Sequence, residues 1–154
     1  MWVQRVRKWH KVEDSIMFIG QYSHSLDEKN RIIIPAKFRN KLGENAVVTL
    51  GHEGCLAIYT EEEWEKLQIK LISLNTNQRE AREHIRVIAG SASECNFDKQ
   101  GRVILPVNLK SKANIKKEVV LVGNIDHIEI WSKESWDSYY EAASAAFDEI
   151  SAKL

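Results

Sequence analysis

The chain carries the same sequence pattern twice, and this duplication limits its fold more than any other feature. Asp-x-x-x-Arg occurs at Asp27–Arg31 and again 71 residues later at Asp98–Arg102, each time followed by an apolar, largely β-branched run and a proline. After one inserted residue, the match continues as far as Trp64 and Trp136. Because a solenoid needs about three or more repeats, two copies indicate an internal duplication. We therefore predict one chain with a pseudo-twofold axis between two copies of a small unit.

Each copy predicts the same order of elements. An apolar segment near residues 18–26 or 90–97 leads through the Asp-x-x-x-Arg turn into a strand at 32–34 or 103–105, and together these predict a hairpin. Proline cannot donate to a strand ladder, so Pro35 and Pro106 end these strands and suit the start of a short helix reaching about Leu42 or Ala113. Further strands are predicted near 46–50, 56–59, 118–122 and 127–131.

A longer helix closes each copy. Thr60 and Glu63 form a capping-box pattern in the first copy, and Ser132 is the predicted N-cap in the second. The apolar stripes that follow are Trp64, Leu67, Leu71, Ile72 and Leu74, and then Trp136, Tyr140, Ala143, Phe147 and Ile150. Residues 75–77 form a break before a middle helix near 78–88. The predicted fold class is α+β, divided into an extension (1–16), a first repeat (17–74), a connecting segment (75–89) and a second repeat (90–154).

The repeated turn is the most specific motif. In a type I turn the first position favours Asp, whose carboxylate accepts backbone N–H groups, so Asp27 and Asp98 are predicted to stabilise the turns. The fourth position requires positive φ, which Gly101 adopts without strain and which Asn30 tolerates. Each turn then presents a lysine at its tip and an arginine at the start of a strand.

Net charge is formally zero, but the charges are segregated. Residues 29–41 and 99–117 contain five and six basic residues and no acid, whereas acids cluster at 61–65 and 134–149. Guanidinium groups on rigid strand ends can contact guanine or phosphate, while lysines mainly add non-specific affinity. The Asp–Arg pairs can equally be structural ion pairs, and the two roles can coexist. The predicted DNA-contacting residues are Lys29, Arg31, Lys37, Arg39, Lys99, Arg102 and Lys110.

Three segments of the first copy, Met17–Tyr22, His24–Arg31 and Ile34–Arg39, resemble the start of the MraZ family of bacterial transcription regulators. Residues 98–106 resemble the other half of the family's signature, and the resemblance covers about residues 17–150. Related AbrB-type regulators usually carry one copy per chain, so the duplication favours MraZ. The chain departs from the family pattern at Asn30, where glycine is usual. It also departs at residues 1–16, which are either a mis-assigned start or a basic arm with Arg5, Arg7, Lys8 and Lys11.

The resemblance implies duplicated AbrB-like swapped-hairpin β-barrel units flanked by helices. It also implies a ring-shaped homo-oligomer, with an octamer as one candidate size. Its hairpins would bind double-stranded DNA at promoter direct repeats and regulate the division and cell-wall gene cluster. No cofactor, metal, membrane or small-molecule substrate is expected, and the choice between a repressor and an activator stays open.

Other functional classes have weaker support in the sequence. Among possible metal ligands, His52 and Cys55 make only a pair, and nucleophile-elbow, H-E-x-x-H and phosphate-loop motifs are missing, which argues against an enzyme. The tryptophans Trp64 and Trp136 fall on apolar helix stripes and are predicted to pack rather than to stack on bases. A ring-forming scaffold that does not bind DNA remains the alternative.

The expected location is the cytoplasm, in association with the nucleoid. The longest apolar stretches fall far short of the roughly 20 residues needed to span a bilayer, and the chain does not open with a signal-peptide pattern. The cysteines Cys55 and Cys95 form no C-x-x-C pair, as fits a reducing compartment.

Overall fold

A computed structural model describes residues 17–154, so the predicted extension lies outside the described residues. Strands and helices are mixed along the chain, which confirms the α+β class. In chain order the elements are β1 (Gln21–Ser25), β2 (Arg31–Ile33), α1 (Ala36–Leu42), β3 (Val47–Leu50), β4 (Leu56–Tyr59), α2 (Glu61–Ile72), α3 (Arg79–Ser91), β5 (Ser93–Glu94), β6 (Arg102–Ile104), α4 (Val107–Lys112), β7 (Glu118–Asn124), β8 (His127–Ser132), α5 (Lys133–Ala145) and α6 (Phe147–Ser151).

The strands form one large sheet and one small ribbon. The sheet has six antiparallel strands in the order β1-β7-β8-β4-β3-β5, and β2 pairs with β6 in a separate antiparallel ribbon. The edge strands β1 and β5 do not pair with each other, so the sheet is open. Between residues 17 and 154, the strands therefore do not close the barrel that the resemblance implied.

The hairpin predicted within each copy is wrong. Both turns form, but β1 pairs with β7 and β2 pairs with β6, so the strands on either side of the first turn find partners in the second copy. In the second copy Gly90 belongs to α3, and only Ser93 and Glu94 form a strand, which pairs with β3. Crosswise pairing places Ile32, Ile34, Val103 and Leu105 together in one core, and the burial of apolar surface in a shared core favours this arrangement.

The core lies between the ribbon and one face of the sheet. Phe18 and Tyr22 make edge-to-face contacts with the buried ring of Phe38, with centroids 5.8 and 5.1 Å apart. Across the centre of the sheet, Ala57 of β4 pairs with Glu129 of β8, and these positions are equivalent in the two copies. The pseudo-twofold axis therefore passes between β4 and β8. The sheet residues of this core are Val48, Leu56, Ile58, Val119, Leu121, Ile128 and Ile130.

The two closing helices begin as predicted. Thr60 Oγ1 accepts a hydrogen bond from the Glu63 backbone N–H at 3.1 Å, and Ser132 Oγ accepts one from Ser135 at the same distance. The Glu63 carboxylate, however, bonds Lys66 at 2.9 Å.

The apolar stripes of these helices are only partly buried. Leu71 and Trp136 are buried, whereas the exposed fractions of Ile72 and Phe147 are 80% and 66%. The second helix is also interrupted after Ala145, so its stripe continues on α6. Of the helices formed by residues 17–154, none is both long enough and apolar enough to span a membrane.

Candidate nucleic-acid interface

The Asp27 carboxylate organises the first turn. Its Oδ1 accepts the backbone N–H groups of Lys29 and Arg31, each at 2.9 Å, and its Oδ2 accepts Nε–H of the Arg31 side chain at 2.6 Å. Asn30 adopts φ +59°, the left-handed conformation predicted for this position. The turn is thus held by the side chain of its first residue, which also orients the arginine.

The second turn has the same geometry. Asp98 Oδ1 accepts the backbone N–H groups of Gln100 and Arg102 at 2.9 Å, and Oδ2 accepts Arg102 Nε–H at 2.7 Å. Gly101 adopts φ +76°. In both turns the hydrogen bond from the backbone N–H of the arginine is the main reason why the pKa of the aspartate is lowered. Partial desolvation acts in the opposite direction and is outweighed, and the arginine guanidinium lowers the pKa further. Both carboxylates are therefore ionised at neutral pH.

The β2–β6 ribbon brings the two arginines onto one surface. Arg31 pairs with Ile104, and Ile33 pairs with Arg102. Because side chains alternate along a strand, these four residues share the face opposite to the buried Ile32 and Val103. We call this face, formed by Arg31, Ile33, Arg102 and Ile104, the ribbon face. Each guanidinium uses Nε for its aspartate; within residues 17–154, the Nη groups of Arg31 donate no hydrogen bond, and Arg102 Nη1 lies 3.9 Å from Asp27 Oδ2.

Two other predicted DNA-contacting residues cross between the copies. Arg39 on α1 donates from Nη1 to the Ile34 carbonyl at 3.2 Å and lies over Gly101, so that a Cβ there would overlap its guanidinium. At the equivalent position on α4, Lys110 donates to Asn30 Oδ1 at 2.9 Å. The α1 and α4 helices thus each brace the turn of the other copy. Asn30, the departure from the family pattern, accepts the hydrogen bond that a glycine could not.

The remaining predicted residues lie around the ribbon face. Lys29 and Lys99 are exposed at the tips of the turns, and Lys37 is exposed on α1. Sequence reasoning missed Ile33 and Ile104, whose side chains are 48% and 62% exposed beside the arginines. The alternation within Arg31–Ile33 and Arg102–Ile104 is the signal that could have revealed them.

A test of the turn geometry is the dependence of stability on acid. Since the folded pKa values of Asp27 and Asp98 are lowered, their stabilising contribution is present above the unfolded pKa and is lost as the pH falls through the folded values. We expect the free energy of unfolding to decline below about pH 4, and to decline less in the variant Asp27→Asn, Asp98→Asn. Urea denaturation between about pH 3 and pH 7 measures this. The exposed Asp148→Asn is the control, and an unchanged acid dependence in the double variant would contradict the assignment.

The cysteine and tryptophan side chains considered in the sequence analysis lie away from the ribbon face. Residues 17–154 hold no cluster of three or more His, Cys, Asp or Glu side chains able to bind a metal. The Cys55 thiol donates to the His52 carbonyl at 3.1 Å, and burial, the largest cause, raises the pKa of this thiol. Trp136 is buried and Trp64 half-buried, so both tryptophans pack within the fold.

Comparison with known proteins gives a consistent result. A family profile described as "MraZ protein, putative antitoxin-like" matches residues 17–87 and again residues 88–154. A "Transcriptional regulator MraZ" of Halothermothrix orenii is 46% identical over 138 residues, covering 90% of this chain and 96% of that protein. Proteins of the same name from Thermoanaerobacter sp. and Carboxydothermus hydrogenoformans are each 44% identical over the same length, with the same coverage.

Proposed function

The chain belongs to the MraZ family, and from this premise we propose that it is a transcription regulator that binds double-stranded DNA through the ribbon face. The observation that carries the proposal is the presence of Arg31 and Arg102, each with a side chain 25% exposed, on the same outward face of a two-stranded antiparallel ribbon. The major groove of B-DNA, about 12 Å wide, admits a two-stranded β-ribbon. Each guanidinium is oriented through Nε and presents its Nη groups, which suits bidentate contact with guanine or phosphate.

The surrounding charges support the same surface. Lys29, Lys99 and Lys37 are exposed near the ribbon, and the sequence segments that form the turns, the ribbon and the α1 and α4 helices are free of acids from 29 to 41 and from 99 to 117. These lysines would neutralise phosphates and add affinity without sequence preference. Arg39 and Lys110 have a different role in this proposal, since they hold the turns in place and contribute charge from behind them.

We further propose that the chain acts as a ring-shaped homo-oligomer on promoter direct repeats. Large apolar side chains stay exposed on α2, which closes the first copy, and on α5 and α6, which close the second. Exposed apolar patches of this kind mark contact surfaces. Two different patches in contact give a head-to-tail interface, which forms a ring if the rotation closes. Several ribbon faces bound to matched DNA sites would raise the overall affinity for DNA through avidity. This gain would compensate for the weak electrostatic attraction of a chain whose formal net charge is zero. The exposed residues are Ile69, Ile72, Tyr140, Phe147 and Ile150.

In the cell, such a protein would act in the cytoplasm on the nucleoid and control genes for division and the cell wall. This cellular role is the one that the family resemblance implies. The scaffold alternative shares the exposed apolar surfaces and differs only in lacking DNA as a partner.

The test is a DNA titration with the full chain. Duplexes that carry one, two or four direct repeats from the chain's own promoter are compared with scrambled duplexes of equal length by fluorescence anisotropy. We expect affinity to rise with repeat number, because additional ribbon faces engage. We also expect affinity to fall by about tenfold or more between 50 and 200 mM salt. Equal affinity for repeated and scrambled DNA would contradict specific binding, and an oligomer that binds neither duplex would favour the scaffold.

A further inference from the structure

The outer face of the sheet contains an aromatic cavity that the ribbon face does not use. It is an open cavity of about 430 Å³, within the range of about 300–1,000 Å³ typical of small-molecule sites. The strand residues that line it, Ala57, Val122, Glu129 and Trp131, alternate with residues of the core. Because alternate side chains point to opposite faces of a sheet, the cavity lies on the other side of the sheet from the β2–β6 ribbon. A ligand there would be remote from DNA.

The floor of the cavity is a carboxylate in a row of small and apolar residues. Glu129 pairs with Val122 of β7 on one side and with Ala57 of β4 on the other. Ala57 is the residue equivalent to Glu129 in the first copy, so the pseudo-twofold axis passes beside an acid that only the second copy possesses. The absence of a long side chain at Ala57 leaves space over the carboxylate.

Aromatic rings form the walls on both sides of this carboxylate. Trp131 lies two residues after Glu129 on β8. Its ring centroid is 5.2 Å from that of Trp136 and 4.9 Å from that of Tyr139. His127 lies two residues before Glu129 on β8, and its ring stacks on that of Tyr59 with centroids 5.2 Å apart. Glu129 is thus placed between two groups of rings, all of which line the cavity.

The carboxylate is held ionised in this setting. Burial favours the neutral acid, but the neighbouring His127 ring and the Trp131 N–H together outweigh it, so the pKa of Glu129 lies below its ordinary value. Trp131 Nε1–H donates to Oε1 at 3.0 Å, and His127 Nε2 lies 3.6 Å from Oε2. The side chain of Glu129 is 15% exposed and forms part of the cavity lining. Glu53, on the turn between β3 and β4, adds a second acid at the rim.

We propose that this cavity binds a guanidinium group, with Glu129 as its carboxylate partner and the rings of Trp131, Trp136 and Tyr139 as its stacking surface. A carboxylate recognises the planar donor fork of a guanidinium in bidentate geometry, and guanidinium planes stack on aromatic faces. A compact ammonium group has no planar donor fork for the carboxylate and no flat face to stack on the rings. The site does not depend on DNA binding, since it shares no residue with the ribbon face.

The guanidinium can come from a free small molecule or from the protein itself. Residues 1–16 include Arg5 and Arg7, and the backbone of Phe18 and Ile19, which follows them, lies against Gly123 at the edge of the cavity. The experiment therefore uses both the full chain and a chain that begins at Met17. The second chain corresponds to the part matched by the family profile.

The probe is n-propylguanidinium chloride, with n-propylurea as the uncharged compound of the same shape. Binding is followed by calorimetry and by the NMR signal of the Trp131 indole N–H, which reports on the Glu129 contact. We expect saturable binding with a Kd of about 1 mM or tighter and no binding of the urea. Glu129→Gln should weaken binding by about tenfold or more, while Glu141→Gln, which removes an exposed charge on α5, should leave it unchanged.

The possible outcomes are distinct. Binding by both chains assigns the site to a free ligand, and binding only by the chain that begins at Met17 assigns it to an arginine of residues 1–16. Either result supports the proposal. Absence of a saturable change at Trp131 in both chains would overturn it, and so would equal binding of the urea or an unchanged Kd in Glu129→Gln.

Discussion

The variant Arg31→Ala, Arg102→Ala should lose at least about a hundredfold in affinity for repeated DNA while it keeps its fold and its oligomeric state. Each bidentate arginine contact contributes about 1–3 kcal/mol, and a hundredfold change corresponds to about 2.8 kcal/mol. Both side chains are 25% exposed and lie on the ribbon face, outside the core. An oligomer that presents several ribbon faces multiplies the loss, because every engaged face is affected.

Two control variants separate the causes of this loss. Arg79→Ala, Arg82→Ala removes the same charge from the exposed α3 helix and should change affinity little. Arg31→Lys, Arg102→Lys keeps the charge but lacks the planar fork, and it should bind DNA weakly and with less preference for the repeats. Anisotropy measures affinity, and sedimentation velocity measures the oligomer. Loss of the oligomer in the alanine variant would indicate a scaffold, and unchanged DNA affinity would contradict the proposed interface.

The variant Gly123→Ala should lower the free energy of unfolding by about 3 kcal/mol. A Cβ at this position would lie 2.5 Å from the carbonyl carbon of Phe18 and 2.6 Å from Cα of Ile19. These are backbone atoms, so no side-chain rotation can relieve the overlap. The segment would have to move, and its movement would disturb the paired hydrogen bonds between Phe18 and Ile125, each 2.9 Å long. It would also displace the fully buried Phe18 ring from Phe38.

Gly90→Ala is the matched control for this substitution. Gly90 lies near the end of the α3 helix, and a Cβ there would meet no atom within 4 Å. Since alanine favours helix by up to about 1 kcal/mol over glycine, stability should be unchanged or slightly higher. Urea unfolding followed by tryptophan fluorescence measures both variants. Equal unfolding midpoints for the two would show that the Phe18–Ile19 segment adapts to the added methyl group, contrary to the expected rigidity.

The turns were predictable from sequence because their determinants are local. Asp27 and Asp98 bond backbone groups two and four residues away, and Asn30 and Gly101 occupy the left-handed position that this loop requires. The N-caps Thr60 and Ser132 were predictable for the same reason. Whether the distal helix stripes are buried could not be predicted, because periodicity identifies an apolar face and does not show whether a partner covers it.

The sequence by itself determined the duplication, the α+β class, the two rigid turns and the residues carried at their tips. Only the tertiary structure decided that β2 pairs with β6, that Arg39 and Lys110 brace the turns of the opposite copies, and that Glu129 stands among aromatic rings. The physical reason is that the two copies share the same pattern of strands and turns. A strand that could pair within its own copy could pair equally well with the other, and the choice follows from the apolar surface that all strands bury together.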